Sequence, residues 1–205
     1  RRWRCRKLLN GPIIIGIILW LYLLSVLNRA NLIGFHFWAG SVGLFAIMAF
    51  ISRAYFVWFL SACITQVTGW WGTLTGLYSS SYINNLISIH NSHGLIMLFV
   101  DYECSGIIET LTYLSLLWFY PMYQKMEKIR LTFIGIAWIF MSNVFRLSLI
   151  STIIYYAGSG AFFWVHSILG RIIFYVLVII LYYNVFTRSQ LEEKGTARFN
   201  YGGRN

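Results

Sequence analysis

Six apolar runs, each close to the length that crosses a bilayer, leave this 205-residue chain little freedom to be anything but a membrane protein. They fall at roughly 10–27, 32–51, 54–70, 105–121, 131–156 and 161–186, the third being the least apolar, against a hydrocarbon core of about 30 Å that takes about 20 helical residues. Composition agrees, with 59% hydrophobic and 11% charged residues, too apolar for a water-soluble domain. The net charge of +10 does not signal a nucleic-acid partner, because the basic residues fall in blocks between apolar runs. With six crossings, 13 of the 16 lysines and arginines share one side: the block between residues 1 and 7, Arg53, the trio Lys125, Lys128 and Arg130, and Arg188, Lys194, Arg198 and Arg204. The positive-inside rule makes that side cytoplasmic and places both termini there.

The expected architecture is an all-α integral membrane protein of about six transmembrane helices. One polytopic domain over 1–186 lies in the cell membrane, and a loose cytoplasmic tail follows over 187–205. The basic start reads as a signal anchor. The one long outer connection opens with Trp70, Trp71 and Tyr78, an interfacial aromatic set. It then carries two apolar extended runs, Leu86-Ile87-Ser88-Ile89-His90 and 95–100, around Asn91-Ser92-His93-Gly94. That pattern predicts an extracytoplasmic β-hairpin within about 82–103.

Ionisable residues inside spans are costly and mark function. If the fifth run enters from the cytoplasm near Leu131, Arg146 lies about 7 Å below the outer edge. His166, five residues into a descending sixth run, lies at about the same depth. Cys104, at the head of a fourth run stopped by Pro121, lies about 6 Å down. Glu109 and Arg171 both fall about 15 Å deep, where opposite charges at one depth predict an ion pair. A competing reading leaves Glu109, about 7 Å below Cys104 on the same helix, to steer a proton or bind a substrate amine.

A thiol that attacks a carbonyl needs some thiolate, a proton carrier for the leaving amine and a donor for the developing oxyanion. Cys104, His166 and Arg146 match these needs one for one. The helix start at Ser105-Gly106 favours a thiolate, while Asp101 and Glu103 oppose one.

Three segments carry a family likeness. Glu103-Cys104-Ser105-Gly106-Ile107, Asn143-Val144-Phe145-Arg146-Leu147 and Trp164-Val165-His166-Ser167-Ile168-Leu169-Gly170, in that order, resemble the exosortase/archaeosortase family of membrane cysteine transpeptidases. The length and span count look most like the short exosortase branch of Gram-positive bacteria. The resemblance implies that Cys104 attacks a peptide bond near the C-terminus of a secreted protein, releases that protein's transmembrane tail, and passes the acyl group to an amine acceptor. It implies His166 as general base and acid, and Arg146 as the group that orients substrate or stabilises the oxyanion. Ser105 and Asn143 lie within the same motifs and join Glu109 and Arg171 as supporting residues. The implied partners are the substrate's apolar C-terminal sorting-signal helix, a lipid or cell-surface amine, and membrane lipids, with no cofactor or metal. The site would lie near the extracytoplasmic face.

The rival reading is a non-enzymatic six-span substrate-binding component of a transporter, in which Arg146, His166 and Glu109 bind a ligand and Cys104 is incidental. His90 and His93 have metal-ligand spacing but lack further ligands and read as turn residues. His36 reads as interfacial, Cys63 as packing, and Cys5 as an exposed thiol. An extended substrate segment adding to a hairpin edge is a further expectation, which needs one edge to be open.

Overall fold

The computed structural model describes residues 11–52, 56–81, 85–91, 94–100 and 105–191. Helices α1 (Gly11–Arg29), α2 (Ile33–Ser52) and α3 (Phe56–Thr75) are followed by strands β1 (Tyr78–Ser81), β2 (Leu86–Asn91) and β3 (Gly94–Phe99). Helices α4 (Ile107–Phe119), α5 (Lys125–Ala157) and α6 (Phe162–Leu191) complete the chain. Among the described residues α2, α5 and α6 are long and apolar enough to cross a membrane, while 14–29 and α4 are shorter apolar helices.

Local chemistry sets the ends of these elements. Asn31, at φ 54°, takes the left-handed turn between α1 and α2. Tyr120 is extended before Pro121, whose ring clashes with helical backbone at the preceding residue, so α4 stops there. At the start of α5 the Gln124 N–H donates to the Glu127 carboxylate at 3.1 Å. Gly158, at φ 76°, ends α5.

α4, α5 and α6 form an up-down bundle that is laced together at one end. The Tyr113 ring lies over Gly135, where a Cβ would collide with it, and its hydroxyl donates to the Leu131 carbonyl at 2.8 Å. Tyr120 and Tyr123 donate to the carbonyls of Phe186 and Val185, and Lys128 Nζ donates to the Trp118 carbonyl at 2.8 Å. The opposite end carries the sheet, in order β1-β2-β3 and antiparallel throughout. Ile87, Ile89 and Leu98 point from its inner face into a core with Ile64, Leu147, Ile150, Ile154 and Val165. Gly69 and Gly72 let β1 lie directly on α3, since a Cβ at either would meet Ser80 or Tyr78. Exposed Trp70, Trp71, Tyr156, Phe163 and Trp164 surround this sheet end, the distribution of an interfacial aromatic belt.

The expected hairpin is present as the antiparallel pair β2–β3, with Asn91 opposite Gly94, and a third strand, β1, was not expected. Tyr78 belongs to that strand and is buried. The tail beyond residue 191 lies outside the described residues.

The alternation of six crossings does not hold. The α1–α2 turn lies beside the α4–α5 turn: Leu27, Asn28, Asn31 and His36 line one cavity with Trp118, Phe119 and Lys128. Gly40 sits against Phe119, and the rings of His36 and Phe119 are 5.7 Å apart. Arg29 therefore shares the face of Lys128, and α1 begins at Gly11 on the face opposite to where α6 ends. α2 rises along α4 until Met48, Ile51 and Ser52 reach the level of Leu111, where Phe56 and Phe59 of α3 also stand. α3 then continues towards the sheet along α5, so α2 and α3 follow one another instead of forming a hairpin. α3 buries one face of small residues, Ser61, Thr65, Thr68, Gly69 and Gly72, of which Gly69 and Gly72 pack against β1.

Candidate functional site

The head of α4 meets the middle of α5. Ser105 and Gly106 are buried there, and Gly106 adopts φ 64° as the residue preceding α4. A Cβ at Gly106 would lie 2.5 Å from Nδ2 of Asn143, so both its backbone angle and its lack of a side chain are required. Asn143 is wholly buried, and among the described residues neither polar atom of its carboxamide has a hydrogen-bond partner. Each such orphan costs about 1–3 kcal/mol.

One turn further along α5, Arg146 is 6% exposed. Its guanidinium carbon stands 4.9 Å from the centre of the Phe174 ring on α6, a cation–π contact in a desolvated setting. The charge that acts on Glu109 is that of Arg146, in place of the expected Arg171. The α5–α6 register explains the difference. Gly170 abuts Ile150 and Phe174 underlies Arg146, so Arg171 sits roughly one turn nearer the sheet than Phe174. It is exposed on the outside of α6.

His166 lies in a π-helical turn, Val165–Leu169, near the start of α6. It is half-buried and stacked on Phe162, with centroids 5.5 Å apart and planes at 11°. It precedes Phe174 by eight residues, about 12 Å of helix rise, so its backbone is on the sheet side of Arg146 and not at the same depth. α5 has 33 residues and is about 50 Å long. It carries the α5–α6 turn well above the head of α4, and α6 therefore starts higher than equal-length spans would allow. Cys104 lies outside the described residues, as do Asp101 and Glu103; the sequence ties Cys104 to Gly106 through Ser105 alone. The fold thus brings Glu109, Asn143 and Arg146 together at the head of α4, with His166 towards the sheet and Arg171 on the outer surface of α6.

Sequence reasoning missed a set of buried hydroxyls on the sheet side of this group. Thr68 of α3, Tyr78 of β1, and Ser148 and Ser151 of α5 are all buried. Among the described residues none of these hydroxyls closes a hydrogen bond of standard geometry, although the Tyr78 phenol faces Ser148. The signal was the run of small polar residues at positions 142, 143, 148 and 151 in an otherwise apolar helix. Beside them an apolar groove of about 550 Å³ opens between α3 and α5, lined among others by Trp70, Trp71, Leu74, Phe145 and Leu149. Among the described residues no three His, Cys, Asp or Glu side chains cluster as metal ligands. His90 is exposed on β2, and His93 lies outside the described residues. Cys63 is a half-buried free thiol on α3. His36 packs at the Lys128 end.

Comparison with known proteins gives one match: the family model of transmembrane exosortases covers residues 6–183. No curated protein and no solved structure matches the chain.

Proposed function

Since the chain belongs to the transmembrane exosortase family, we propose that it is a membrane-embedded cysteine transpeptidase that cleaves a C-terminal sorting signal and transfers the released acyl group to an amine. The observation that carries this reading is the buried guanidinium of Arg146 beside the orphan carboxamide of Asn143, at the helix head that Cys104 precedes. Desolvated donors held at fixed positions are what a developing oxyanion needs, because they require no reorganisation as charge appears.

In the reaction, the Cys104 thiolate adds to the scissile carbonyl carbon, forming a C–S bond and moving the carbonyl π pair onto oxygen. Collapse of that oxyanion breaks the C–N bond, and the amine leaves with a proton supplied by His166. The resulting thioester is attacked by the acceptor amine, which gives its proton back through His166 and releases the thiol. Since His166 stands on the sheet side of Arg146, the scissile bond lies between their levels. The groove between α3 and α5 is apolar, as a sorting-signal helix requires. The face bearing the sheet and the aromatic belt is then extracytoplasmic.

The test is the pH dependence of Cys104 labelling by a membrane-impermeant thiol reagent on intact cells, in the wild type, His166→Ala and Arg146→Ala. Labelling from outside with an apparent pKa well below about 8.5, shifted in both variants, is the expected result. A Cys104 that is inert, or that behaves as an ordinary thiol and ignores both substitutions, would sink the transpeptidase reading and favour a non-catalytic ligand-binding protein.

A further inference from the structure

We infer that Asn143 is a catalytic residue, whose Nδ2 donates a hydrogen bond to the scissile carbonyl oxygen as it becomes an oxyanion. This rests on the thiol mechanism above and adds to it the group that meets the oxygen.

Asn143 stands within the 33-residue α5, so its own backbone groups belong to the helix ladder and only the carboxamide is available. That carboxamide is completely buried and rests on Gly106, yet it makes no hydrogen bond among the described residues. A structural asparagine at this place would close the turn before α4 by bonding to its backbone, as capping side chains do. The geometry leaves it in contact with that turn but uncommitted. The first N–H groups of a helix have no intrahelical acceptor and carry the positive end of its dipole. An amide donor and a helix start therefore meet at one spot, and Arg146 is one turn away. A neutral donor there has a different task from the guanidinium. Arg146 is held over Phe174 and shares its charge with Glu109, whereas Nδ2 has no competing acceptor among the described residues and is available to the oxygen that arrives. Gly106 fits the same picture, because any side chain at 106 would push Asn143 aside.

Two small probes separate this role from a structural one, in a Cys5→Ser/Cys63→Ser background where Cys104 is the single thiol. p-Nitrophenyl acetate acylates the thiolate through a tetrahedral oxyanion: the S–C bond forms, the ester C–O bond breaks, and the electron pair leaves with p-nitrophenolate. Iodoacetamide alkylates the same sulfur by displacing iodide, and no oxyanion forms. The second-order rates of both reactions at Cys104 are measured for the wild type, Asn143→Leu and, as a smaller replacement, Asn143→Ala, in detergent or reconstituted vesicles. The expected result is a loss of about 10²-fold in acylation with alkylation unchanged, and recovery of part of the acylation rate in Asn143→Gln. Acylation that holds, or acylation and alkylation that fall together, overturns the assignment while leaving Cys104 a reactive thiol. A wild-type Cys104 that reacts with neither probe overturns the thiol mechanism and this assignment with it.

Discussion

The two ends of the α4–α5–α6 bundle treat their polar groups in opposite ways. At the Lys128 end the tyrosine hydroxyls and a lysine each reach a carbonyl on a neighbouring segment: Tyr113 to Leu131, Tyr120 to Phe186, Tyr123 to Val185 and Lys128 to Trp118. Ser41 on α2 is an exception. Towards the sheet, Thr110 and Ser142 bond only to backbone four residues back in their own segments, and among the described residues Thr68, Tyr78, Asn143, Ser148 and Ser151 are buried with hydroxyls or amides that close no such bond. Each satisfied bond adds about 1 kcal/mol, and each orphan costs a similar amount or more. One end is therefore optimised for holding the helices, while the other keeps polar groups at a cost to stability, which is where function is expected.

The sharpest way to break this contrast is to damage the laced end. Gly135→Leu drives a side chain into the Tyr113 ring and should destabilise the protein by about 3 kcal/mol. The acylation rate of Cys104 per folded molecule should stay near that of the wild type. Denaturant titration in detergent gives the first quantity and p-nitrophenolate release the second. A variant that keeps its stability would show that the Tyr113–Gly135 contact does not hold α4 to α5.

A matched pair sharpens it further. Tyr113→Phe removes one satisfied bond and should lower stability by about 1 kcal/mol, whereas Asn143→Leu replaces an orphan by an apolar group of similar size and should raise it by about 1 kcal/mol. Opposite signs in the same denaturant titration support two differently built ends. Equal losses would mean that Asn143 is a structural contact.

The sequence makes these two ends legible to different degrees. The apolar runs were readable because lipid-facing helices need long stretches with little interruption, and β2 and β3 were readable from their extended apolar runs around a turn. Arg146 was visible as a charge inside an apolar run, and Asn143 only as a member of the same family-like motif. The order of passage was not. Depth arithmetic assumes that spans begin at common planes, but α5 is 33 residues long and lifts the start of α6, which moved His166 and Arg171 towards the sheet and gave Glu109 to Arg146. At the other end the alternation of passes is lost for a related reason. Alternating crossings require every apolar run to be a separate pass, and α3 continues the rise of α2. Its small polar face, Ser61, Thr65, Thr68, Gly69 and Gly72, was present in the sequence, and its spacing on one helical face is that of a packing surface.

The smallest expected effect tests whether the buried phenol of the sheet end belongs to the polar layer there. Burial pushes the Tyr78 hydroxyl above its ordinary value of 10.0, and the facing Ser148 opposes this more weakly. The folded protein thus favours the neutral phenol more than the unfolded chain does. The stability linked to that preference is complete below about pH 10 and is lost as pH rises through the folded-state value. Tyr78→Phe should leave stability at pH 7 within about 1 kcal/mol of the wild type and should flatten the decline between pH 10 and the onset of alkaline unfolding. No tyrosine at the laced end faces this sheet, so Tyr120→Phe should not produce the same flattening near Tyr78, which a probe on β2 at the exposed His90 position would report. If Tyr78→Phe leaves the alkaline limb unchanged, the phenol is better satisfied than its geometry suggests and the polar layer ends at Ser148.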